Sequence, residues 1–253
     1  MALALVALCW MALLTWSASP YGRYLHHGDW TATGIAGALC ATLPGTGVAL
    51  PALLYAAGWV VMSAAMMLPT SLPLIGLFDR MVADRPDRVV LHGLLIAGYL
   101  LAWGGFGVAA HMADTMLRAL LTGSSWLLTH AWVPGAVVLA IAGAFQFSRL
   151  KYICLDACRS PLAFIMSHWH GPQPRREALV LGLAHGIYCV GCCWALMLLM
   201  FVVGTANVGW MLALALVMAV EKNHAWGRWL AKPLGVALLC AAYALSIIAP
   251  MTP

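Results

Sequence analysis

Residues 178–203 read ALVLGLAHGIYCVGCCWALMLLMFVV, an apolar run of 26 residues with no charge and no proline. That exceeds the ~20 apolar residues a helix needs to cross a bilayer, so the spacing predicts a membrane span. Yet six of its side chains, His185, Cys189, Cys192, Cys193, Met197 and Met200, carry metal-binding atoms. At ~100° per residue, with His185 as zero, Cys192 falls near ~−20°, Cys189 near ~40°, Met200 near ~60°, Cys193 near ~80° and Met197 near ~120°. All six share one side of the helix, within an arc of roughly 140°, in a column ~22 Å long.

The rest of the chain fits a membrane protein. Of its 253 residues, 64% are hydrophobic and only 8% charged, against ~25% charged in soluble domains. An all-α polytopic bundle in the lipid bilayer follows, as a single transmembrane helical domain over 1–253 with no internal repeat. A net charge of +5 is too small to argue for nucleic acid as a partner. Eight cysteines in such a length are too few for a disulfide scaffold and suit free thiols or metal ligands.

About seven spans are expected, near 2–18, 53–77, 89–110, 132–149, 178–203, 208–221 and 233–250, or six if the first is a cleaved signal. A Gly/Pro/Thr-rich piece around Pro44 and Gly45 reads as re-entrant or interfacial. Residues 112–130 read as a loop with a short helix, and Gly204 to Asn207 as a turn. The loops after spans two, four and six hold eleven Lys and Arg, those after spans one, three and five hold two. The positive-inside rule therefore puts the N-terminus in the cytosol and the C-terminus outside.

The second span carries Met62, Met66 and Met67, with small residues between them that allow another helix close. Methionine is also ordinary flexible core filler. Pro69 and Pro73 are expected to kink this helix and free carbonyls near its cytosolic end. The basic loop 150–177 opens with Cys154 and Cys158, one turn apart if helical, and Lys151 and Arg159 beside them favour thiolate. SHWH at 167–170 reads as an interfacial Trp with polar neighbours. In the central helix, Gly182, Gly186 and Gly191 are points of close approach where a partner helix can bring further ligands. A lone His or Cys would read as packing, but six on one face favour ligation. Thiolate with thioether selects Cu(I), zinc being the alternative cargo. Glu221 and Lys222 read equally as an ion pair at the end of a helix or as groups that support the metal ligands or handle protons.

These residues resemble a bacterial family of integral membrane proteins with a predicted metal-binding, copper-binding role. The resemblance covers about residues 55–232. It rests on Trp59, Met62, Ala65, Met66, Met67 and Pro69; on Leu150-Lys151 with Cys154, Cys158, Arg159 and Pro161; on His185-Gly186, Tyr188-Cys189, Gly191-Cys192-Cys193-Trp194 and Leu196-Met197; and on Glu221-Lys222. The family usually has Pro where this chain has Arg149 and a basic residue where it has Ala184. The resemblance implies metal binding and an envelope location, the inner membrane of a bacterium by the charge rule, but supplies no reaction.

Two functions are compatible with these residues. One is a protein that holds, delivers or moves Cu(I) through Cys, Met and His on facing helices, with a soluble copper chaperone or a copper-receiving membrane protein as partner. The other is a membrane thiol–disulfide oxidoreductase or copper redox enzyme using Cys189, Cys192 and Cys193, for which Cys189-x-x-Cys192 has the spacing. The methionines favour the first. Spans two and five are expected to pack together, Met62 or Met66 completing a site with the thiols, and Cys154/Cys158 forming a cytosolic docking pair.

Overall fold

The computed structural model describes residues 2–17, 49–123, 125–126, 130, 132–203 and 208–249. The expected re-entrant piece around Pro44 and the turn at 204–207 lie outside them. The elements are α1 (Ala2–Ser17), α2 (Ala49–Met67), a 3-10 turn (Pro69–Ser71), α3 (Leu72–Met81), α4 (Arg88–Gly123), α5 (Val133–Phe145), α6 (Arg149–Arg159), α7 (Pro161–His168), α8 (Pro174–Leu198), α9 (Met200–Val203), α10 (Val208–Asn223) and α11 (Gly227–Ile248). The chain is all-α. Three helical stretches, Arg88–Leu117, Pro174–Val202 and Gly227–Ile248, are long and apolar enough to cross a membrane. Two bent pairs, Ala56–Met67 with Pro69–Met81 and Val133–Phe145 with Arg149–Arg159, raise the number of candidate spans to five.

That count covers the described residues only, and seven were expected. Helices α1 and α10 have 16 described residues each, about 24 Å of helix, and are not among the five. The expected loop at 112–130 is helical as far as Gly123, because α4 continues without a break. The last helix starts at Gly227 rather than 233 and carries Pro233 inside it. The basic stretch after the fourth span is mostly helix, forming α6 and α7.

Helix α8 is the centre of the bundle: 61% of its apolar window is buried, against 17% for α11. Its principal neighbour is α4, not α2. The two run parallel, and Gly182 lies so close to the Leu95 carbonyl that any side chain there would strike α4 backbone. The expected close approach is therefore real, and at Gly182 and Gly186 its partner is the third span. By contrast, α11 turns Trp229, Val236 and Tyr243 outward, as a helix bordering lipid does.

The α2–α3 break shows how sequence shapes the site. Pro69 has no N–H, so the Ala65 carbonyl four residues before it loses its helical donor. Trp10 Nε1 donates to that carbonyl at 3.2 Å. The chain bends by 46°, and the Met67 carbonyl turns out to accept from Thr70 Oγ1 at 2.7 Å and from the Tyr99 hydroxyl at 3.1 Å. A second break follows α5, where the pair bends by 64°. There Ser148 caps α6, its side chain accepting from Lys151 N at 3.1 Å.

The Arg- and Lys-rich stretches meet at one end of the bundle. Phe78 of α3 packs edge-on against Trp169, which places SHWH as an interhelical contact. Arg228 pairs with Asp156 at 3.0 Å and lies over the Tyr152 ring.

Candidate metal centre

All six side chains of the predicted column are buried: His185, Cys189, Cys192, Cys193, Met197 and Met200. Helical periodicity put them on one face, and that face is the one turned into the bundle. Met62, Met66 and Met67 of α2 are buried as well. The break before Pro69 ends α2 at Met67, so its sulfur, rather than that of Met62 or Met66, reaches the thiols. Cys193 Sγ lies 3.7 Å from Met67 Sδ.

Around this sulfur pair the polar groups are specific. Cys189 Sγ receives Lys222 Nζ at 2.8 Å and lies 2.9 Å from the Tyr99 hydroxyl. Lys222 Nζ is also 3.8 Å from Cys193 Sγ and 3.3 Å from Thr70 Oγ1. The Cys193 and Cys192 thiols both donate back to the Cys189 carbonyl, at 2.8 and 3.1 Å. Five elements thus converge on one buried point: α2, the 3-10 turn, α4, α8 and α10.

Cys192 also has the Cys158 thiol of α6 as an electrostatic neighbour. The Cys189-x-x-Cys192 pair therefore splits between two sets of partners. Cys154, one turn before Cys158, is buried against Gly191, where a Cβ would come within 2.6 Å of its sulfur. A side chain at 191 would force that thiol to shift. The Cys154/Cys158 pair accordingly lies against the central helix.

His185 sits one turn before Cys189. Its Nε2 is 3.2 Å from Ser71 Oγ, its ring stacks on Tyr99 with centroids 5.8 Å apart, and its buried Nδ1 has no partner. A small cavity of about 10 Å³ opens beside it, lined by Leu68, Ser71, Leu95, Tyr99 and Gly182 among others.

Glu221 and Lys222 do not pair with each other. Neighbours on a helix diverge by ~100°, and the two point into different neighbours. Glu221 takes Lys151 Nζ on both carboxylate oxygens, at 2.9 and 2.8 Å, with exposures of 2% and 0% for the two side chains. Gln146 Oε1 accepts from the same ammonium. Arg159 closes the assembly by donating to the carbonyls of Glu221, His224 and Ala225 at the end of α10. The α6 helix with its two cysteines is thereby locked onto α10, and Lys222 is left free to face the thiols.

Tyr99, Thr70, Ser71 and Gln146 belong to this centre and were not singled out from sequence. Hydroxyl and amide side chains carry no ligand signature by type, and they arrive from elements far apart in the chain. Among the described residues, no three His, Cys, Asp or Glu side chains converge in a ready-made metal site. What the structure does bring together is the Cys193 thiol against the Met67 thioether, with the Cys189 thiol on the same Lys222 ammonium.

A family model described as PpoB2: Copper chaperone matches residues 56–245. No curated protein and no solved structure matches.

Proposed function

The chain belongs to the PpoB2 copper chaperone family, and on that premise we propose that it holds Cu(I) within the membrane between Cys189, Cys193 and Met67. The observation that carries this reading is the buried contact of the Cys193 thiol of α8 with the Met67 sulfur of α2, with the Cys189 thiol joined to Cys193 through the shared Lys222 ammonium. Thiolate with thioether is a soft donor set, matched to Cu(I) and poorly matched to Zn(II), which rarely takes methionine. Copper here is cargo. Cys158 and Cys154 lead toward the centre from the α6 side through Cys192. Met197 and Met200 continue the buried face beyond Cys193, and Met62 and Met66 do so along α2. His185, with one ring nitrogen unpartnered, is an auxiliary donor below the thiols. Glu221 and Lys151 fix the scaffold.

In this reading the ion is passed between thiols and thioethers by ligand exchange, with a soluble donor or a copper-receiving membrane protein at one end. The basic stretches 80–88, 150–177 and 222–232 face the cytosol of a bacterial inner membrane. Metal analysis of detergent-purified protein tests the reading. The protein is expected to retain Cu(I) in preference to Zn(II), and chelation is expected to expose thiols to alkylation that copper had protected. Zinc retained in preference, or thiol counts that chelation leaves unchanged, contradicts the proposal.

A further inference from the structure

Lys222 is an ammonium buried to 5% exposure, and the neighbouring carboxylate, Glu221, is committed to Lys151. Among the described residues, its hydrogen-bond partners are Cys189 Sγ, Cys193 Sγ and Thr70 Oγ1. A buried charge needs an opposite charge close by, and the groups in reach that can supply one are the thiols. This is an unusual use of lysine, and it has a consequence for which ion the thiols accept.

We propose that Lys222 is the fixed counter-charge of the copper site, selecting a monovalent over a divalent soft cation. The inference rests on the site assigned above. Two thiolates, one Cu(I) and one ammonium together carry no net charge, whereas two thiolates and Cu(I) alone leave a buried anion. With a divalent ion the same donors and Lys222 carry a net positive charge in a region that hydrates neither form. Softness of the sulfurs does not make this distinction, since Cd(II) is soft as well. The charge of Lys222 does. Thr70 holds the ammonium beside the pair, and Thr70 is itself held by the Met67 carbonyl that the Pro69 break exposes. The same turn therefore positions the thioether ligand and the counter-charge.

The test measures the affinities of Ag(I), a redox-stable stand-in for Cu(I), and of Cd(II) in the purified full-length protein and its variants. Lys222→Met is expected to weaken Ag(I) by roughly 10–100-fold, the usual cost of losing an outer partner of a metal site, while Cd(II) binding holds or tightens. Lys222→Gln, which keeps hydrogen bonding without the charge, is expected to behave as Lys222→Met does and serves if the latter does not fold. Lys222→Arg keeps the charge and is expected to retain the Ag(I) preference. A general loss of packing weakens both metals together and cannot produce opposite responses. Parallel losses for Ag(I) and Cd(II), or unchanged Ag(I) binding in both neutral variants, overturn the proposal. If Ag(I) binding depends on Cys189 and Cys193 yet ignores Lys222, the site stands and only its counter-charge is wrong. If the unmodified protein binds no Ag(I), or binds it without those cysteines, the site assignment fails as well.

Discussion

Replacing Cys189 and Cys193 together by serine is expected to abolish Cu(I) retention. The loss should exceed the roughly 10–100-fold that follows removal of an outer partner. Serine is isosteric enough to leave α8 in place, but its oxygen is hard and a poor donor to Cu(I). Met67 alone cannot hold the ion, and Lys222 would then face two neutral hydroxyls. Cys9→Ser and Cys240→Ser are the controls. Cys9 is buried in α1 and Cys240 exposed on α11, and neither belongs to the column. Cys192→Ser is expected to act differently again, because its thiol has Cys158 as an electrostatic neighbour. It should slow loading from the α6 side more than it lowers affinity at equilibrium. The measurement is competition with a Cu(I) chelator, followed in time as well as at equilibrium. Equal losses at all five cysteines would mean that the facial arrangement has no ligand function.

The second large effect concerns stability. Removing one partner of a buried ion pair leaves the other charge uncompensated, at a cost of about 3–5 kcal/mol. Glu221→Ala strands the Lys151 ammonium, which has no water to turn to, and is expected to lower the thermal midpoint in detergent by on the order of 10 °C. Replacing both at once, Lys151→Met with Glu221→Leu, should recover most of that loss, since apolar pairs commonly match buried ion pairs in stability. The exposed Asp156–Arg228 pair offers the contrast. Its side chains are 46% and 52% exposed, and Asp156→Asn is expected to cost less than about 1 kcal/mol. Equal destabilisation by Asp156→Asn and Glu221→Ala would remove the reason for treating the Lys151–Glu221 pair as the lock between α6 and α10.

Much of the centre was legible in the sequence because one rule, ~100° per residue, governs a straight helix. It put six side chains, five of α8 and Met200 of α9, on one face, and all six are buried. The prolines gave the position of the α2 break correctly. What the break does to the methionines was not legible: it ends the helix at Met67 and presents that residue, where helical geometry alone favoured Met62 and Met66. The partner of the α8 glycines was also out of reach. Gly182 marks a close approach without naming the helix that makes it, and α4 takes that place. Gly191 announced room for a close neighbour, and that neighbour is the Cys154 thiol. The fate of Glu221 and Lys222 could have been argued further from sequence, since adjacent helical residues do not face each other. Lys151 was visible as a basic neighbour of Cys154, but only the 64° bend after α5 brings it to Glu221. Among the described residues three to five candidate spans stand beside the seven expected: hydropathy does not register the bends at 68–71 and 146–148, and α1 and α10 have 16 described residues each.

The most direct test of the central claim is X-ray absorption at the copper edge of the loaded, purified protein. The account predicts Cu(I) in an all-sulfur environment of two or three donors, with the thioether contribution lost in Met67→Leu and the whole signal lost in Cys189→Ser with Cys193→Ser. A copper centre with nitrogen and oxygen ligands, or a sulfur environment that persists without Cys189 and Cys193, would contradict it.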